Sequence, residues 1–408
     1  MARRPKVAIV GAGLGGLAAA AALTQRGFEV AVYERAAELG EIGAGIALSP
    51  NVLRTLRYLG LDEAVLADAF RPRDHVFRSW KSGRSLLQAR VQGTYEQFFG
   101  APMCNIHRAD LHRILREAVP AAAIHLKAEA VGTEQTADGA AIHFRDGTSV
   151  EADIVVGADG IRSNIRQNLF GADTPDFTGN VAWRFTVPTD ALPEGFIRPA
   201  VSNWLGPGGH VVHYYVRRGQ LVNVVAIHET AEWTEESWAL RGDKRDLMTA
   251  FAGWNEALFQ LFDKADLCFK WGLFDHAPLA TWRVGRVALL GDAAHAMLPF
   301  LGQGAAMAIE DGAALAYLLA DCPDEPTLAL RRYQDMRLPR TRRAQLGSRA
   351  RAAENHLKSP TARLRRDAGF RLRQWLRPNG TLHRAEWLYR YDVRAECAAM
   401  RRDAGGDD

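Results

Sequence analysis

The pattern of apolar and polar positions divides the chain into three kinds of stretch. The first is a short unbroken apolar run rich in β-branched residues. KVAIV from Lys6, FEVAVYE from Phe28, ADIVVGADG from Ala152 and RVALLGD from Arg286 belong to it. Runs of this type read as strands buried on both faces of a parallel sheet. An Ala/Leu-rich segment with helical spacing follows the first, and an alanine-rich amphipathic helix follows the last. The second kind begins at Gly179, where NVAWRFTVP, AVSNWLG, HVVHYYVRR and LVNVVAIHE are separated by turn sequences such as Gly206-Pro207-Gly208-Gly209 and Arg218-Gly219. These predict an antiparallel sheet. Arg78 to Leu87 predicts a hairpin turning near Ser82-Gly83. Residues 123 to 151 predict a meander with turns at Asp138-Gly139 and Asp146-Gly147. The third kind is helical: residues 245 to 265, and an arginine-rich stretch beyond residue 326. That basic stretch reads as a solvated helix face or a subunit contact, with an anionic partner as the other reading. WLYRYDV is apolar enough to pack onto a domain, and the terminal DAGGDD is expected to be disordered. The fold class expected is α/β with an inserted antiparallel sheet: a Rossmann-like domain, a β-rich domain and C-terminal helices.

Between the first strand and its helix lies Gly11-Ala12-Gly13-Leu14-Gly15-Gly16. In this strand–turn–helix–strand setting each glycine has a physical task. Gly11 permits the tight turn, Gly13 admits a pyrophosphate against the backbone, and Gly16 lets helix and strand pack closely. The helix N-terminus offers unpaired N–H groups to phosphate. Glu34 ends the second strand, roughly 20 residues on, where a carboxylate grips a ribose. The stretch therefore predicts a bound dinucleotide. Three further places carry chemistry. Arg108 stands near a helix start, where a cation opposes the dipole unless an anion is close; a phosphate partner and a solvated surface arginine both fit. Asp159 and Asp292 end predicted strands, where open α/β sheets bind ligands. Pro299, Gly302 and Gly304 form a loop whose following helix N-terminus suits a second part of the same dinucleotide. Gly40, Gly43 and Gly45 suggest a loop passing close to something bulky, and Ser49-Pro50-Asn51 suggests a helix start.

Composition narrows the class. At 408 residues, 48% hydrophobic and 24% charged, the chain can bury two domains, and a net charge of +4 does not call for nucleic acid or a membrane. Cys104, Cys268, Cys322 and Cys397 form no CxxC or metal pattern and read as reduced thiols of a cytoplasmic protein. No metal site is expected. No apolar run reaches about 18 residues, and the basic N-terminus leads into a strand rather than a signal peptide.

Three motifs in fixed order, GAGLGG with Glu34-Arg35, GADGIRS, and LLGDAAHAMLPFLGQGA, resemble those of the single-component flavoprotein aromatic hydroxylases, the para-hydroxybenzoate hydroxylase family. The likeness is greatest to its salicylate hydroxylase and 3-hydroxybenzoate 6-hydroxylase branch. It extends over nearly the whole chain, including EIGAGI, IHRADLH and WLYRYDV. The resemblance implies non-covalent FAD, NADH or NADPH as a transient co-substrate, and O2. It implies hydroxylation of a phenol or salicylate-like phenolic acid through a flavin C4a-hydroperoxide. A heterocycle of the 6-hydroxynicotinate or urate type, or a polycyclic biosynthetic phenol, is the alternative substrate, and a non-catalytic dinucleotide-binding protein the remote one. It implies a discontinuous FAD-binding domain (1–75, 102–178 and 274–325), a substrate domain (76–101 and 179–273) and a C-terminal helical segment (326–408). The expected partner is a small aromatic substrate, with no nucleic acid and no membrane, for a monomer or homodimer.

Residue roles follow from the same resemblance. Gly11, Gly13, Leu14, Gly15 and Gly16 would cradle FAD and Glu34 its ribose, with Arg35 and Arg108 along the adenosine and pyrophosphate. Asp159 would serve the pyrophosphate and Asp292 the ribityl chain. Pro299, Gly302, Gly304 and Ala305 would face the isoalloxazine ring. Gln303 would orient the substrate, while His295 would be structural. Strand alternation puts His213 and Tyr215 on one face and Tyr214 on the other. If the first face floors the cavity, His213 accepts the phenol proton and Tyr215 orients the ring; otherwise His213 is a packed, satisfied histidine. Ala47 stands where the related 6-hydroxynicotinate monooxygenases carry a histidine, which favours a benzenoid substrate. A carboxylate substrate would also need a cation, for which Arg184 and Arg78 are candidates that no motif singles out.

Overall fold

The computed structural model describes residues 4–40, 44–231, 233, 240–376 and 380–404. The expected loop residue Gly43 and the last four residues of DAGGDD lie outside these, whereas Asp403 and Ala404 continue the helix Val393–Ala404 instead of being disordered.

The apolar runs pair as a six-stranded sheet whose core is parallel. Lys6–Val10 lies between Glu29–Tyr33 and Ile154–Gly157, and Val287–Leu289 pairs beyond the latter. Helix Leu14–Gln25 is buried through Ala18–Leu23, which explains its apolar character on every side: it is sandwiched between the sheet and helix Gly304–Asp321. The meander forms a separate three-stranded antiparallel sheet, Ala130–Gln135, Ala140–Phe144 and Ser149–Ala152.

The second large sheet has seven strands. Its centre is Asp176–Pro188, Leu221–Glu229, Gly209–Val216 and Ala200–Gly206, and the hairpin Asp74–Ser79 and Ser85–Arg90 completes one edge. The expected boundaries at 75/76, 178/179 and 273/274 each cut through a strand, Asp74–Ser79, Asp176–Pro188 and Phe269–Asp275. The hydrogen-bonded ladder, not the change in composition, sets where the chain crosses between sheets. One face of this sheet packs Trp183, Phe185, Val224 and Val211 against helices Lys244–Ala250 and Glu256–Asp263. The other face turns toward the first domain. Both faces are therefore buried.

The C-terminal helices are bound to the first domain by charge. Helix Pro326–Asn355 presents Arg337 and Arg340 to Glu310 and Asp311 of Gly304–Asp321, and all four are buried. No helix among the described residues is long and apolar enough to cross a membrane.

Candidate active site

A cavity of about 460 Å³ lies between the two large sheets. Its first-domain wall is built from the ends of the parallel strands. At Gly11, φ is +105° and a Cβ would come within 2.4 Å of the Ala158 carbonyl, so only glycine fits the turn. Gly13 differs: a Cβ there would meet nothing within 4 Å, because the residue faces the cavity. Gly13 caps helix Leu14–Gln25 with no side-chain bond, leaving first-turn N–H groups for an anion. Leu14 and Gly15 also line the cavity, while Gly16 packs on Gly11. Glu34 braces the turn, accepting the N–H groups of Ala12 at 2.8 Å and Ala36 at 2.9 Å. His112 braces it from below through the Ala12 carbonyl at 2.8 Å.

Of the other expected cofactor residues, Arg108 is the first residue of helix Arg108–Glu117 and lines the cavity. Arg35 is exposed and lies away from it. Asp159 is turned inward, accepting the Ser163 hydroxyl and the Ile165 N–H, and burial holds its carboxyl above the ordinary range. It shapes the loop; Gly160, Ile161 and Arg162 are the residues that reach the cavity. Asp292 opens onto the cavity from the first turn after Gly291. The loop Pro299–Leu301, Gly302 and the uncapped start of helix Gly304–Asp321, with Gly304 and Ala305, line it directly.

Gln303 corrects the expectation. It borders the cavity, but its amide donates to the Ser49 hydroxyl at 3.0 Å and accepts from Asn51 at 3.2 Å, and the residue is 1% exposed. Asn51 in turn donates to Glu310 at 2.7 Å. The amide therefore anchors the loop to the ion cluster instead of orienting a substrate. His295 is structural, buried against Asp311 at 2.5 Å.

The second-sheet wall also overturns an expectation. His210, Val212 and Tyr214 face the cavity, so His213 and Tyr215 face away. His213 accepts the Trp204 indole N–H at 3.0 Å, and burial beside Arg78 drives its pKa down to about 3. The Tyr215 hydroxyl donates to the Ile197 carbonyl at 2.9 Å. The side chains alternate as the strand pattern predicts, with the cavity on the opposite face from the one expected. With both faces buried, hydrophobicity does not mark the cavity side. The same parity settles the arginines. Arg78 lies on the far face over the Trp204 ring, whereas Arg184 lines the cavity 4.6 Å from the Trp271 ring centroid. Burial lowers the Arg184 pKa to about 10, with Arg108 as a further positive neighbour, and among the described residues its Nε has no hydrogen-bond partner.

Residues that sequence reasoning did not single out complete the wall. Asn203 and His75 are hydrogen-bonded at 2.6 Å on adjacent strands, and burial lowers the His75 pKa to about 4. His210 stacks near Phe300, with ring centroids 5.3 Å apart. The signal in sequence for Asn203 was sharing a strand face with Val201, and for His210 with Val212; His75 lies on the neighbouring strand opposite Val201. Ala47 reaches the cavity from strand Gly45–Leu48, which passes tightly over the second sheet: a Cβ on Gly45 would lie 2.7 Å from the Tyr214 ring.

A dinucleotide-shaped turn, two uncapped helix N-termini and an aromatic-lined chamber define a flavin-dependent oxidoreductase site. The chain belongs to the FAD-binding-domain family, whose model matches residues 4–346. It is 42% identical over 363 residues to a 3-amino-4-hydroxybenzoate 2-monooxygenase of Streptomyces platensis, covering 89% of this chain and 91% of the relative. It is 33% identical over 399 residues to a 6-hydroxynicotinate 3-monooxygenase of Bordetella bronchiseptica, covering 97% of each. The structure of a salicylate hydroxylase substrate complex superimposes with a TM-score of 0.82 at 28% identity, over 98% of each chain. The protein is an FAD-dependent aromatic monooxygenase that uses NAD(P)H and O2.

The residues present fit FAD. The open space at Gly13 and the adjoining N–H groups suit the pyrophosphate, and Asp292 suits a hydroxylated chain. The Gly304 helix start suits an electron-rich ring end. Bound there, FAD accepts hydride from NAD(P)H and activates O2 for insertion of one oxygen atom into an aromatic ring.

Proposed function

We propose that the enzyme hydroxylates a benzoate bearing a phenol, of the hydroxybenzoate or aminohydroxybenzoate type. The observation that carries this reading is Arg184, a half-buried guanidinium lining the cavity whose Nε has no hydrogen-bond partner among the described residues. A cation held in a largely apolar chamber favours an anionic ligand, and its planar fork matches a carboxylate. Val212, Val225 and Trp271 provide flat apolar contact for a ring. His210 is the group on this wall suited to receive the phenol proton, which raises electron density on the ring before oxygen is added. The aromatic lining and the tight passage of Gly45 over Tyr214 exclude water that would divert the oxygen to peroxide. Ala47 presents only a methyl group to the chamber, which favours a benzenoid ring over a heterocycle needing a hydrogen-bond donor there.

The test is NAD(P)H oxidation against salicylate, hydroxybenzoates, 3-amino-4-hydroxybenzoate, 6-hydroxynicotinate and urate, with product and peroxide quantified. A hydroxylated benzoate is the expected result, and Arg184→Met should raise its KM at least tenfold, because a charge-assisted contact of about 1.5–3 kcal/mol is lost. Hydroxylation of urate or 6-hydroxynicotinate alone would overturn the assignment.

A further inference from the structure

His210 stands at one end of a line of titratable groups that leaves the cavity. Its Nδ1 is 2.7 Å from Nε2 of His356, the residue capping helix Pro326–Asn355. His356 Nδ1 lies 3.6 Å from a carboxylate oxygen of Glu229, whose other oxygen is 2.6 Å from Lys358 Nζ. His210 and His356 are each 3% exposed, whereas the Glu229 side chain is 34% exposed and Lys358 is in water.

Glu229 only accepts, and its oxygen, 3.6 Å from His356 Nδ1, is too far for a direct hydrogen bond but within the span of one bridging water; the relay uses the tautomer that carries the His356 proton on Nδ1, toward that water. His356 Nε2 is then a lone pair, and His210 must donate to it through Nδ1–H. That leaves His210 Nε2 as a lone pair on the cavity side, the form that can receive a proton. Burial keeps both rings neutral, so each can accept at one nitrogen and release from the other. The ionisable neighbours of His356 are His210, Glu229, His228 and Lys358; His210 faces His356, with Phe300 beside it.

We propose that His210, His356 and Glu229 form a proton relay that carries the substrate's phenolic proton from the cavity to solvent. The proposal rests on the phenolic substrate argued above. The phenol O–H bond breaks as His210 Nε2 gains the proton. The Nδ1 proton of His210 passes to His356 Nε2, and the Nδ1 proton of His356 passes through a bridging water to the solvent-exposed carboxylate of Glu229. One proton enters, one leaves, and both rings end neutral in the opposite tautomer. Return of a proton along the same line, after the oxygen is transferred, resets them. His210 is the catalytic residue of the three; His356 and Glu229 act through it.

The experiment mixes the FAD-loaded enzyme with 3-amino-4-hydroxybenzoate and, separately, 4-hydroxybenzoate, in weakly buffered solution with a pH-indicator dye. Stopped flow follows phenolate absorbance and proton release, while flavin fluorescence follows binding. Wild type should form phenolate and release a proton near neutral pH. His356→Phe should bind the ligand but form phenolate about 10²-fold more slowly, the lower end of what a positioned acid–base group contributes. His356→Gly should recover rate with added imidazole. Glu229→Gln, a surface change that spares folding, should slow proton release and move the pH profile. Wild-type rates and profiles in His356→Phe and Glu229→Gln would overturn the relay while hydroxylation by wild type left the substrate reading intact. A wild type that neither ionises nor hydroxylates any phenol would overturn both.

Discussion

Arg340 makes two hydrogen bonds to Glu310, at 2.8 and 2.9 Å, where the carboxylate is fully buried and the guanidinium nearly so. The pair joins the C-terminal helix to the helix that starts at the flavin loop. Arg340 continues to the carbonyls of Trp387 and Leu388, and Glu310 continues through Asn51 to Gln303. The arginine-rich stretch thus has a second use beyond solvation: part of it is the foundation of the site.

Removing Glu310 would leave the buried Arg340 without its carboxylate and Arg337 with Asp311 as its remaining one. Loss of one partner from a buried pair costs about 3–5 kcal/mol. Glu310→Ala should lower the unfolding free energy from urea denaturation by that much, with a matching fall in midpoint, and weaken FAD retention through the freed Gln303 loop. Glu117→Ala, breaking a surface pair with Arg113, should leave the midpoint nearly unchanged. Equal effects of the two would show that the cluster is not a support.

Two glycines of the same turn should fail differently. Gly13 has an extended backbone, φ −72°, and open space at its Cβ position, so Gly13→Val should purify without flavin and melt at the temperature of flavin-free wild type. Gly11→Ala forces a Cβ against the Ala158 carbonyl and a strained φ, which should cost more than about 1 kcal/mol and lower soluble yield. Bound flavin per folded protein and thermal unfolding separate the outcomes. Full flavin in Gly13→Val would move the pyrophosphate elsewhere.

His213 is expected to behave as packing. His213→Ala strands the buried Trp204 indole N–H, which should cost about 1–3 kcal/mol in stability and leave the ratio of product to peroxide unchanged. A large rise in peroxide would restore His213 to the chemistry.

That reversal shows where sequence stops being informative. The glycine turn, Asp292 and the Pro299 loop were legible because local conformation and phosphate chemistry demand particular residues at fixed spacing. The second sheet was legible as a sheet, but not which face was the chamber. Val211 and Val212 look alike in sequence, yet one packs on helices and the other on the cavity. The side-chain targets of Gln303 and Asp159 also depended on tertiary neighbours. His356 lies 146 residues from His210, and no local pattern connects them.

Buried neutral histidines give the protein an acid limit. His213 is held down to about 3 and His356 to about 4, against 6.5 when unfolded. Burial is the largest cause for both, because it disfavours the imidazolium; Arg78 adds to it for His213, while Glu229 partly offsets it for His356. Between pH 6.5 and 4 the unfolded chain therefore binds more protons than the folded one. Stability from these groups is complete above pH 6.5 and declines as pH falls, by about 1.4 kcal/mol per pH unit for each histidine. Paired carboxylates such as Glu310 and Asp311, whose pKa values are lowered, add their loss only once pH falls below their unfolded range near 4. Denaturant unfolding measured from pH 7.5 to 4.5 should show a plateau, then a fall beginning near 6.5. His213→Asn should remove one proton from that slope while lowering the plateau. A slope identical in wild type and variant would mean that His213 titrates alike in the folded and unfolded chains.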